Sequence, residues 1–516
     1  MSVLNLEFFV FLTIVLLVYY VIPGKFQWVW LLISSLYYFC YHTVWYQLIF
    51  FVVFLVINYI ATLFMNEDSK HRKKVFTAVL ISDILIFVFL KYPDFFLNSF
   101  TWMTVKLGHP FSSSRVNFVV SMCKEYCPPH ISYFGLIIVG YICDVYWGKI
   151  IAQKNPGKYV LFAGFFPLMT SGPIVTYSQM ENELFGEKKN FSYDRFISAS
   201  ERILWGAFKK LVVAGRAAVI VDTIYSKYEI YAGFYIPLAA AMFVCQLYAD
   251  FSGLMDIVIG TAELFGITLP ENFNMPFLST NLQEFWRRWH ITLGEWLKNY
   301  VLFPIYRSKT FRNLNKWCKK KWGKHYEKKF DLPSNIALFI SWFIIGLWHG
   351  GGWNYIFGVG LYMWIIIVIS NTFKPYFEKV PKLLHINTEC FSYTLFQRIR
   401  TFIIYAFGLS FFRAENLTEG FRMWKSMFSL YNPWIFADKS LLNLGLDRLE
   451  IEILVIGIFV MLIVSIFMQR GSVRAQLKTQ GFVFRLVLFV VLFVVTVVYG
   501  YYGAGYNAAS FIYGRF

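Results

Sequence analysis

Four stretches of this chain, Leu6–Ile22, Val75–Leu90, Ile451–Met468 and Phe482–Tyr499, are almost wholly apolar. Each is long enough, or nearly so, to cross a bilayer, for which a helix needs about 20 residues. A soluble chain of 516 residues would divide into several domains, but 58% hydrophobic and 15% charged residues argue for lipid as the main solvent. The 57 Phe, 34 Tyr and 17 Trp fit a polytopic protein with broad aromatic belts at the membrane surfaces. The pattern predicts an all-α integral membrane protein of about 11–13 transmembrane segments, some short or broken. The first span follows no basic n-region or small-residue cleavage site, so it reads as retained.

The formal charge is +18, from 48 Lys and Arg against 30 Asp and Glu. The basic residues gather between apolar runs: Lys70, Arg72, Lys73 and Lys74, then Lys149, Lys154 and Lys158, then ten between Arg307 and Lys329. This is the bias of cytoplasmic loops, and counting spans from it places the N-terminus outside. No nucleic-acid motif accompanies the charge, so nucleic acid is not an expected partner. The loop 307–329 suits anionic lipid, and also a phosphorylated donor such as coenzyme A or an acidic carrier protein. Cys123, Cys127 and His130 form C-x3-C-x2-H, too little to expect a metal.

Within the apolar stretch Ser334–Trp364 stands one ionisable group, His349, followed by Gly350, Gly351 and Gly352. A charged or polar group in such a segment is costly and marks function by default. The glycines favour a break in the helix and a close approach to the imidazole. A neutral imidazole is a base near pH 7, an alcohol attacking an acyl group needs one within hydrogen-bond reach, and glycine N–H groups are able to hold the developing oxyanion. A proton relay in a transporter uses the same residues. Gly172-Pro173 predicts a further helix break, tolerable at membrane depth only if packed in protein or lining a cavity.

Asp250 and Ser252, with Asp256 one turn on, lie between apolar segments Tyr231–Ala249 and Gly253–Leu264, where they would cap a helix end or hold a cation. Asn272-Phe273-Asn274 opens a polar link into EFWRRWHITLGEWLKNY, in which Arg287, Arg288 and His290 sit among tryptophans. That stretch reads either as an interfacial helix whose arginines meet lipid phosphates or as a re-entrant helix carrying His290 to the pocket. No Walker loop, dinucleotide fingerprint, metalloprotease motif or G-x-S-x-G elbow is present.

Taken in order, FFPLMTSGPI, QLYADFSGLMDIVIG, ENFNMPFLSTNLQEFWRRWHITL, GLWHGGGW, FFRAENL and the terminal FIYGRF resemble the signature blocks of the membrane-bound O-acyltransferase (MBOAT) family. The resemblance is to the bacterial branch of alginate O-acetyltransferases and the teichoic-acid D-alanyl transferase, with FWRRWHITL nearer the former. It implies a ring of helices with re-entrant segments around a central funnel, as one membrane domain over 1–516: N-terminal spans and outer loop 1–129, core 130–372, C-terminal spans and tail 373–516. It implies His349 as catalytic base, His290 as second histidine and Tyr513 as an acyl relay. Trp348, Gly350, Asn274, Arg287, Arg288, Asp250 and Ser252 are expected to line the pocket. The implied donor is acetyl-coenzyme A or another acyl thioester, with no bound cofactor. The implied setting is a bacterial cytoplasmic membrane, with an extracytoplasmic esterase-like transferase or an acyl carrier protein as partner. The products in view are an O-acetylated surface polysaccharide or wall polymer, or D-alanylated teichoic acid.

Overall fold

A computed structural model describes residues 3–41, 43–65, 70–108, 113–169, 171–324, 326 and 330–501. The chain is all-helical, with 78% helix and, among the described residues, one isolated β-bridge. Helices close their backbone hydrogen bonds within themselves, which is what lipid demands. Among the described residues five helices have the length and apolarity of a span: Trp45–Leu63, Tyr235–Leu264, Leu332–Gly350, Trp353–Thr372 and Arg448–Met468. Two bent pairs, Arg72–Lys91 with Pro93–Lys106 and Ser114–Tyr126 with Ile131–Tyr146, raise this to seven. The larger number expected from sequence included runs that fold as shorter helices, among them Leu6–Val21 and Phe482–Val498. The section 1–129, expected to hold spans and an outer loop, also holds the helices Pro93–Lys106 and Ser113–Tyr126. Pro93 sits in the first turn of one, where its missing N–H costs nothing. Among the described residues no group of three or more His, Cys, Asp or Glu side chains is placed to hold a metal ion.

Two compact units divide the chain, cutting across the expected core section 130–372. The first is Met1–Ile203 with Met255–Pro270. Its centre is the helix Ile131–Tyr146, buried from Tyr133 through Val145. The break predicted at Gly172-Pro173 is there. The helix Phe166–Met169 ends before it, and Ser171, Ile174 and Val175 are buried in protein.

The second unit is Leu204–Leu254 with Glu271–Phe516. Glycines let its helices approach closely, as small residues do in membrane proteins. A Cβ on Gly408, in the helix Phe391–Ser410, would lie 2.6 Å from the Gly358 carbonyl. One on Gly346 would lie 2.6 Å from the Ile356 Cα. That neighbour is backbone and has no rotamer by which to yield. Gly346→Ala is therefore expected to cost about 1–3 kcal/mol through overpacking, read as a lower thermal midpoint of the detergent-purified protein. Gly481→Ala, at a position open on all sides, is expected to change nothing. In the helix Arg448–Met468 only Leu454, Gly457 and Met461 are buried, while Ile456, Phe459 and Ile463 face outward. This is the pattern of a helix that gives one stripe to protein and the rest to lipid.

Tyr235–Leu264 is one unbroken helix of 30 residues, not the two segments expected from sequence. Asp250 and Ser252 are mid-helix and cap nothing. Their polar groups are satisfied sideways by a π-helical turn, Lys209–Ala214. The Lys210 ammonium pairs with the Asp250 carboxylate, and the Lys209 ammonium donates to the Ser252 hydroxyl at 2.9 Å. Gly253 permits the approach, since a Cβ there would lie 2.8 Å from the Gly206 carbonyl. Within the first unit, Asp256 is likewise paired, with Arg202 at 3.0 Å.

Candidate active site

Two short helices, Leu282–Arg288 and Ile291–Leu297, are joined by the tight corner Trp289-His290. The polar link folds back along this corner. Phe273 and Trp289 form an antiparallel bridge. The Asn274 N–H donates to the Arg288 carbonyl at 2.9 Å, and the Ile291 N–H donates to the Asn272 carbonyl at 3.0 Å. His290 has φ 48°, a left-handed conformation rare outside glycine. Such strain, of order 1–3 kcal/mol, persists where the surroundings over-determine it.

The clamp is Asn272, 1% exposed. Its Oδ1 accepts from the Thr292 N–H at 3.1 Å and the Thr292 hydroxyl at 3.0 Å, and lies 3.3 Å from His290 Nδ1. The His290 ring is met edge-on by Phe251, centroids 4.8 Å apart. His290 lies outside the spanning helices, and burial holds its imidazole far below the ordinary value, at about 3, so the ring is neutral.

His349 stands in the last turn of the helix Leu332–Gly350, 4% exposed. Its ring packs on Trp348, centroids 5.0 Å apart, and on Phe412 at 5.2 Å. Asn354 delivers Phe412 there: its Nδ2 donates to the carbonyls of Phe411 at 3.3 Å and Ala414 at 2.8 Å. The same Trp348 ring lies 5.7 Å from the His290 ring. One tryptophan thus touches both predicted histidines, which lie on separate elements.

The glycines behind His349 do something narrower than expected. Gly351 takes φ 68° and ends the helix, and its N–H donates to the Leu347 carbonyl at 3.0 Å. That donor is spent on the cap and is not an oxyanion ligand. Gly350 makes room for the Tyr355 ring, which a Cβ would meet at 2.5 Å.

Other predicted site residues fall outside this cluster or serve it structurally. Arg288 is an ion-pair partner of Glu284 at 2.8 Å, and Arg287 and Asn274 are exposed. Asn274 contributes through its backbone pairing with Arg288. Asp250 and Ser252 flank Phe251, and their side chains turn to the lysines. Trp348 lies against both histidine rings. Tyr513 lies outside the described residues. The sequence reading missed Asn272, Phe251, Phe412, Lys209 and Lys210. A polar residue beginning an N-F-N link was the one available signal for Asn272.

The model of the membrane-bound O-acyltransferase family, MBOAT, matches residues 153–319. That stretch holds Asp250, Asn272 and His290. The chain carries an MBOAT domain. Its relatives include the probable alginate O-acetylase of Pseudomonas syringae pv. tomato, 27% identical over 88% of this chain and 79% of that protein. The peptidoglycan O-acetyltransferase of Helicobacter pylori is 28% identical over 82% and 78%. The teichoic acid D-alanyltransferase of Bacillus subtilis is 27% identical over 52% and 67%. The domain match and these relatives make the chain a membrane-embedded O-acyltransferase, and its outward apolar faces suit a lipid bilayer.

Proposed function

We propose that this chain transfers acetyl from a cytoplasmic thioester donor towards hydroxyls of a bacterial cell-surface polysaccharide or wall polymer, with His349 as general base. The observation that carries the reading is the packing of two buried histidines on Trp348 in a protein with MBOAT relatives. The imidazole takes the hydroxyl proton, the oxygen bonds to the acyl carbon, the carbon–sulfur bond breaks, and the proton goes to the leaving sulfur. The O-acetyltransferase relatives span far more of the chain than the D-alanyltransferase, which favours acetyl.

The basic loops would face the cytoplasm and the N-terminus the outside, in the cytoplasmic membrane. The helix Lys309–Trp322, with Lys316, Lys319, Lys320 and Lys321, offers a face for an anionic donor or an acidic acyl carrier protein. An extracytoplasmic transferase would take the acyl group onward.

The test is purified protein in vesicles with labelled acetyl-coenzyme A on the side of the basic loops. Label on hydroxyl acceptors, or on the protein by mass spectrometry, is expected. Label taken only from a D-alanyl carrier would replace acetyl by D-alanyl. Solute flux without any acyl donor, and no transfer, would point to a transporter and overturn the reading.

A further inference from the structure

We infer that Asn272 is a positioning residue that holds His290 as the Nδ1–H tautomer, so that its Nε2 bears a lone pair and not a hydrogen. The inference rests on the proposed function only in placing His290 at the acyl-transfer site.

The argument starts from the Thr292 backbone. Its N–H can only donate, and it donates to the Asn272 side chain at 3.1 Å. The atom it meets must therefore be the amide oxygen, which fixes the orientation of the side chain. That same oxygen lies 3.3 Å from His290 Nδ1. A carbonyl oxygen has no proton to give, so Nδ1 must carry the hydrogen. A neutral imidazole has one N–H, and the second nitrogen is then an acceptor.

Burial of the ring against Phe251 and Trp348 keeps it neutral, and the antiparallel bridge holds the corner against its left-handed strain. Each of these features narrows the ring to one orientation and one tautomer. A lone-pair Nε2 accepts a hydrogen bond from a hydroxyl. It does not stabilise an oxyanion by donation. The geometry thus assigns His290 to accepting a hydrogen bond from the hydroxyl-bearing acceptor, and not to donating to the acyl oxyanion.

The experiment uses the full-length protein labelled with ¹⁵N-histidine in lipid vesicles. Among its eight histidines, His290 is identified by the signal lost in His290→Gln. The expected wild-type spectrum shows a protonated Nδ1 and a bare Nε2. Asn272→Leu is expected to release the tautomer and to lower kcat about 10–100-fold, as loss of a partner that orients a histidine does, with KM for the donor changed less than about threefold. Asn272→Asp keeps an acceptor for Thr292 and His290 and is expected to restore both the spectrum and most of kcat. A wild-type Nε2–H signal overturns the inference. So does a folded Asn272→Leu protein with unchanged tautomer and kcat. The spectrum needs no turnover, so it separates the two readings. A protonated Nδ1 together with full acyl transfer by His290→Gln would uphold the tautomer and remove His290 from the chemistry.

Discussion

Replacing His349 by alanine is expected to lower acyl transfer by about 10²–10⁴-fold, the contribution of a positioned general base. The measure is the initial rate from labelled donor to a hydroxyl acceptor, with membrane insertion and detergent-solubilised monodispersity checked in parallel. His349 sits between Trp348 and Phe412 at the end of a helix whose cap is made by Gly351 and Leu347, not by the imidazole. Removing the ring therefore leaves the cap in place and opens a space bounded by aromatic side chains. The loss is expected in kcat, because the base acts on the proton in flight and not on donor binding. His349→Gln, which fills more of the space but is not a base, is expected to be as inactive as alanine. An inserted, monodisperse His349→Ala protein with wild-type initial rate would overturn the general-base role.

The largest effect on stability is expected at Asp250. Its carboxylate and the Lys210 ammonium are both buried, and they pair across the junction of the long helix and the π-helical turn. Removing one partner of a buried pair leaves the other charge in a low-dielectric interior, at about 3–5 kcal/mol. Lys209, buried beside it, adds a second positive charge to the same turn. Asp250→Ala is thus expected to unfold the second unit's core in detergent at a markedly lower temperature. The paired replacement Asp250→Leu with Lys210→Met is expected to recover most of that loss, because apolar groups of similar volume remove the burial cost along with the attraction. The comparison is made by thermal denaturation of the three purified proteins. Equal midpoints for single and double variants would show that the pair is not what holds this junction.

The reading of Asp250 and Ser252 as a helix end shows where sequence reasoning stops. Polar residues between two apolar runs look like a cap, because a local pattern cannot reveal a partner some 40 residues away. The π-helical turn supplies that partner. With both lysines turned towards the long helix, Asp250 and Ser252 have no need of water or of a free helix end. The glycines after His349 carried the opposite lesson. Their number and place signalled a helix break, which occurs at Gly351. Their use as oxyanion donors was not legible, because it depends on where each N–H points, and the Gly351 N–H is already engaged.

By itself the sequence determined that this chain lies in lipid, that it is helical, and that a histidine within an apolar segment is its chemical exception. Those conclusions depend on composition, run length and the cost of polar groups in hydrocarbon, all of which are properties of residues in order. Tertiary structure alone decided that His290 and His349 share Trp348, that Asn272 grips one of them, and that Phe412 walls the other. Such choices come from an antiparallel bridge, a left-handed corner and an asparagine that ties two segments together. Each joins parts of the chain whose neighbourhood is set by packing, not by spacing.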